Sequence, residues 1–154
     1  MEAVSSAGRH TVLAITAKQT TGSPVVIETH ARVGGDCIPE LVELATGQDQ
    51  YEHAIAALLG TASVRSPAPA APAAAISCVA PPPTPGTLTG LALTPVDGDL
   101  RWNFDRMPGS ALSELRSSED RVGYAIALGA TPAEAMETAA KATAGVNLQV
   151  SPAP

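Results

Sequence analysis

Glu28, His30 and Arg32 recur at every second position, and Gly34, Gly35 and Asp36 follow almost at once. Residues two apart on a β-strand share a face, so a carboxylate, an imidazole and a guanidinium are expected side by side. A carboxylate at a strand end is a hard oxygen ligand suited to magnesium, which keeps several waters and bridges to nucleotide phosphates. Arg32 supplies a planar fork that matches the oxygen pair of a carboxylate or phosphate. The glycine pair lets the backbone approach a ligand closely, and the amides that open a helix near Cys37 would face an anion. The competing account is a solvated edge strand with a local ion pair, followed by an ordinary strand-to-helix turn.

The elements that must position these residues are legible around them. The stretch 10–16 is aliphatic and β-branched and runs into a breaker cluster, so it reads as a strand and turn. Val25 to His30 reads as a second strand, apolar first and polar last. Asp36 is expected to cap a helix beginning near Cys37, with Pro39 and Glu40 in its first turn and Gly47 at its end. Asp49 and Glu52 have the spacing of a capping box and open a second helix that Gly60 closes.

Beyond position 60 the chain turns to Ser, Pro and Ala, and the prolines at 67, 69 and 72 remove backbone donors that a helix or sheet would use. The expected organisation is a first part over 1–60, a linker over 61–86 and a C-terminal α+β subdomain over 87–154. Short strands are expected over 76–79, 87–94 and 121–128. Thr131, Pro132 and Glu134 open a helix that ends before Gly145, and Val146 to Val150 alternates as a last strand.

Composition narrows the function classes. The 154 residues carry a formal charge of −6, which leaves no basic face for a phosphate backbone, so nucleic acid is not an expected partner. No apolar run approaches the ~18 residues of a membrane span, and the opening Met1-Glu2-Ala3 lacks the regions of a signal peptide. A cytoplasmic location is expected. Cys37 and Cys78 lie far apart with no histidine at ligand spacing, and read as free thiols. The chain is 45% hydrophobic but 3% aromatic, so alanine dominates and the core is expected to be thin.

Residues 27–36, Ile-Glu-Thr-His-Ala-Arg-Val-Gly-Gly-Asp, resemble the metal and substrate end of ATP-grasp carboxylate-amine ligases. Many members carry a strand reading Glu-x-Asn or Glu-x-His, then x-Arg, then glycines. Residues 38–47 resemble the helix that follows in the amino-acid ligase branch. Residues 115–124 with 131–135 are similar to the closing subdomain, and residues 2–22 to a strand pair well upstream. The resemblance implies an α+β fold, an incomplete ATP-grasp C-terminal lobe of antiparallel strands and helices with a small α+β closing subdomain. It implies a magnesium- and ATP-dependent ligase that joins a small amino or carboxylic acid to an amine through an acylphosphate. Glu28 and His30 would hold magnesium, His30 standing where many members have asparagine. Arg32 would be the catalytic group, steadying the acylphosphate, and Arg32, Gly34, Gly35 and Asp36 would bind substrate.

The chain departs from that pattern where the nucleotide should sit. It has no identifiable glycine-rich covering loop, no second acidic metal strand, and only Lys18 and Lys141 as lysines. Neutralising a triphosphate requires more positive charge than that. The expectation is a truncated or split ligase, its partner either a second chain that supplies the nucleotide-binding half or, in a homo-oligomer, another copy of itself. The alternative is a non-catalytic binding or assembly module, a remnant of such a ligase.

Overall fold

A computed structural model describes residues 14–18, 23, 25–30, 32–61 and 72–152. The chain divides into two compact units, Met1–Ala71 and Pro72–Pro154. The second unit therefore takes in residues 72–86, which the sequence places in the linker.

In the first unit, β1 (Ala14–Lys18) pairs antiparallel with β2 (Val25–His30), Thr16 opposite Glu28 and Ala14 opposite His30, with an irregularity between Thr16 and Ala17. The bounds of β2 are those expected. β1 extends two residues past Thr16, and the expected strand positions 10–13 lie outside the described residues. Helix α1 (Ile38–Thr46) starts differently from the expectation. Asp36 and Cys37 are both left-handed, at φ 54° and 62°, so the chain turns sharply and Cys37, not Asp36, occupies the N-cap without a side-chain capping bond. The turn is held by Ile38 N–H donating to the Gly35 carbonyl at 3.1 Å. Gly47 ends α1 as expected, left-handed at φ 70°, its N–H donating to the Glu43 carbonyl at 2.7 Å. Helix α2 (Gln50–Leu58) is capped by Asp49, whose carboxylate accepts from the Tyr51 and Glu52 amides at 2.7 and 3.1 Å.

The second unit holds two three-stranded antiparallel sheets. The first orders β3 (Ala73–Val79), β7 (Gly123–Gly129) and β5 (Asp99–Phe104); the second orders β6 (Ala111–Leu112), β4 (Gly86–Leu93) and β8 (Val146–Pro152). Helix α3 (Pro132–Ala144) packs on β3 and β7. Its start follows the local signals: the Thr131 hydroxyl accepts from the Glu134 amide at 3.2 Å, while the Glu134 carboxylate accepts from the Ala130 amide at 2.9 Å.

The register fixes which residues meet the helix. Ser77 stands opposite Ala125 and Ala75 opposite Ala127, and the Ser77 hydroxyl lies 2.7 Å from that of Thr143 on α3. That face therefore meets Ala135, Ala139 and Ala142, all buried. A second cluster joins the sheets: Val79, Leu88, Leu112 and Val122 are buried, with Leu91, Trp102, Phe104, Val146, Leu148 and Val150 packed against them. Six of the eleven buried apolar residues are alanines, so the core is thin, as the composition implied.

Three sequence readings shift here. β3 begins at Ala73 rather than Ile76, because pairing with β7 extends through the alanines. β7 begins at Gly123 rather than Arg121, because a 3-10 turn over Ser118–Asp120 occupies the approach. Trp102-Asn103-Phe104, to which the sequence assigns no element, belongs to β5, where the two rings stack at 5.5 Å with 10° between planes. Among the described residues no helix is long and apolar enough to cross a membrane.

Candidate functional site

The residues singled out by spacing lie in the first unit, where β2 gives way to α1. Glu28 and His30 sit two residues apart on β2, opposite Thr16 and Ala14; their side-chain placement lies outside the described residues. Arg32 does not continue the alternation, since β2 ends at His30 and the backbone bends at position 32. Its guanidinium is exposed and donates to the neighbouring Val33 carbonyl at 2.9 Å, folded back along its own loop.

Past Arg32 the loop forms one wall of a shallow cup of about 300 Å³, lined by Gly34, Gly35, Asp36, Cys37, Pro39, Glu40 and Tyr51. Gly34 belongs there for a steric reason, because a Cβ would lie 3.1 Å from the Ile38 Cγ2. At Gly35 a Cβ would lie an ordinary 4.0 Å from the nearest Arg32 guanidinium nitrogen, which places that side chain beside the glycine pair. The expected substrate residues Gly34, Gly35 and Asp36 are thus brought together, with Arg32 at the edge.

Spacing did not reveal the other lining residues. Cys37 and Glu40 enter through the double left-handed turn and the first helical turn. Tyr51 arrives from α2, fifteen residues beyond Asp36, by the return of the chain at Gly47. The Asp49 cap was the available signal, since it places Tyr51 in the first turn of that helix.

The cup offers two carboxylates, a phenol, a thiol and backbone amides beside one guanidinium, a polar mixture able to orient a small zwitterion. Among the described residues no group of three or more His, Cys, Asp or Glu could hold a metal ion. A hydrated magnesium ion would need only one or two protein carboxylates, and those of the cup are Asp36 and Glu40. The cup does not fit a nucleotide held by this segment alone, because residues 33–61 contain no lysine or arginine.

The second unit has a depression of about 270 Å³ lined by Leu93, Thr94, Pro95, Val96, Gly98, Leu100 and Trp102, with no titratable side chain among them. Its most connected carboxylate is structural. Asp120 accepts from the Arg116 and Ser117 amides at 3.0 and 2.8 Å and from the Ser117 and Ser113 hydroxyls at 3.1 and 3.2 Å. The backbone bonds from Arg116 and Ser117, followed by the hydroxyl bonds, hold its carboxyl below the usual carboxylate range.

Residues 79–151 match the family model described as L-amino acid ligase C-terminal domain 2. No curated protein matches the chain. Among solved structures it is similar to phosphoribosylglycinamide synthetase from Anaerococcus prevotii, at 17% identity and a TM-score of 0.71, over 90% of this chain and 37% of that one. It is also similar to L-amino acid ligase from Bacillus licheniformis, at 14% identity and a TM-score of 0.68, over 90% of this chain and 36% of that one. The mixed α+β fold, with antiparallel sheets and three α-helices among the described residues, resembles the C-terminal part of ATP-grasp ligases. The chain spans little more than a third of either structure.

Proposed function

We propose that this chain is the C-terminal portion of an ATP-grasp carboxylate-amine ligase, and that it supplies the substrate end of a site whose nucleotide half lies elsewhere. The observation that carries the reading is the match of residues 79–151 to an L-amino acid ligase domain. The shared fold over 90% of the chain supports it.

In this reading Glu28 and His30 hold magnesium at the end of β2. The ion, when bound, neutralises charge on the phosphoryl group being transferred to the substrate carboxylate. Arg32 is the catalytic group, releasing Val33 to place its fork on the acylphosphate oxygens. Gly34, Gly35 and Asp36 hold the amino-acid substrate, the backbone facing its carboxylate and the Asp36 carboxylate its ammonium. A reducing cytoplasm suits such an enzyme, whose Cys37 and Cys78 are free.

The test combines the protein with magnesium, ATP, an amino-acid panel and the product of any neighbouring reading frame that encodes a glycine-rich nucleotide half. ADP and phosphate should appear only when an amino acid is present. Arg32→Ala should lower turnover by about a hundredfold, and Glu28→Ala should raise the magnesium concentration that turnover requires. No ADP release from the mixture would sink the ligase reading. A non-catalytic binding module is favoured by one observation, the five carboxylates and no lysine or arginine over residues 33–61. Amino-acid binding that persists with no ATP use would establish it.

A further inference from the structure

Helix α2 is turned inside out. Its larger apolar residues, Tyr51, Ile55 and Leu58, together with Leu59 at its C-cap, are 58%, 59%, 71% and 72% exposed. At about 100° per residue these four positions form one stripe roughly 100° wide, whereas His53, Ala54 and Ala57 on other sides are half-buried. A contiguous apolar stripe of this kind marks an interaction surface.

We propose that the α2 stripe is the docking face for the nucleotide-binding half of the ligase, a protein surface with an apolar groove rimmed by lysine and arginine. The proposal rests on the ligase reading above. Two observations select this occupant. The segment around the stripe carries Asp36, Glu40, Glu43, Asp49 and Glu52 and no lysine or arginine, so a complementary partner is basic. A second copy of this chain would instead set Asp49 and Glu52 against their own equivalents, a like-charge pairing. ATP chemistry needs cations that this segment lacks, so the nucleotide half has to bring them.

Tyr51 belongs to both features, lining the cup and opening the stripe. A partner seated on Ile55 and Leu58 therefore borders the cup, and its cations arrive beside Gly34, Gly35 and Arg32. Docking and completion of the site become one event.

The test places the photocrosslinker p-benzoylphenylalanine at position 55 of the full chain, expressed in its source cells, and identifies the captured protein by mass spectrometry. The expected product is a single partner with a glycine-rich nucleotide loop, its yield falling as salt rises from about 0.05 to about 0.5 M. The double variant Leu58→Glu, Leu59→Glu should lower capture about tenfold. Its circular dichroism should stay unchanged, because both side chains are largely exposed. Capture of a second copy, capture of a protein without such a loop, or no intermolecular product would each overturn the proposal. ADP release with magnesium and amino acids separates the two readings. Ligation that the double variant leaves intact overturns the docking face and keeps the ligase. A captured complex that releases no ADP keeps the docking face and overturns the ligase.

Discussion

Asp120 gathers two amides and two hydroxyls onto one carboxylate, and its charge is what makes that possible. A carboxyl held below its ordinary value of 3.8 contributes stability that is present above the unfolded value and lost as pH falls through the folded one. In an NMR titration the Arg116 and Ser117 amide shifts should therefore follow the Asp120 carboxyl with a midpoint below 3.8. In Asp120→Asn those shifts should no longer titrate together. Gly123 makes the opposite kind of demand. A Cβ there would meet the Asn103 carbonyl oxygen and come within 2.8 Å of the Phe104 ring, so Gly123→Ala should cost about 1–3 kcal/mol in chemical denaturation. At this scale the sequence singled out Asp36 and the glycine pair, which the fold gathers in one cup, but not the left-handed Cys37. A pair of non-glycine residues at positive φ has no local signature in the sequence.

Elements governed by local rules were legible. β2 has the bounds its polarity gradient gives, and α3 starts where Thr131, Pro132 and Glu134 cap it. β5 was missed although Asp-Leu-Arg-Trp-Asn-Phe alternates perfectly and the burial follows the alternation. The opposite error was expecting Arg32 beside Glu28 and His30, because period two in the sequence does not say where pairing stops. The close seat of α3 on its sheet depends on methyl groups. Ala139→Leu, at a position with no exposure, should lift the helix from β3 and β7 at a cost of about 1–3 kcal/mol. For a unit of this size that lowers its melting temperature by about 4–8 °C per kcal/mol, readable by calorimetry.

The chain divides into two units; among the described residues the first holds one sheet and two α-helices, the second two sheets and one α-helix. Where the second begins was not legible, because an alanine-rich strand at 73–79 looks like the alanine-proline stretch before it until β7 pairs with it. Leu88, with no exposure in the inter-sheet cluster, anchors that unit. Leu88→Ala should destabilise it by about 2–5 kcal/mol, while the transition of the first unit stays in place. Coincident shifts of both transitions would show that the units unfold as one.

Trp102 is the sole tryptophan of the protein, and it stacks on Phe104 against that same cluster. Intrinsic emission excited at the red edge of the indole band therefore reports on the second unit alone. Trp102 also lines the depression between Leu93 and Leu100, so its emission senses whatever enters there. A change in tryptophan emission on adding an amino acid would report either binding in that depression or a change transmitted to it.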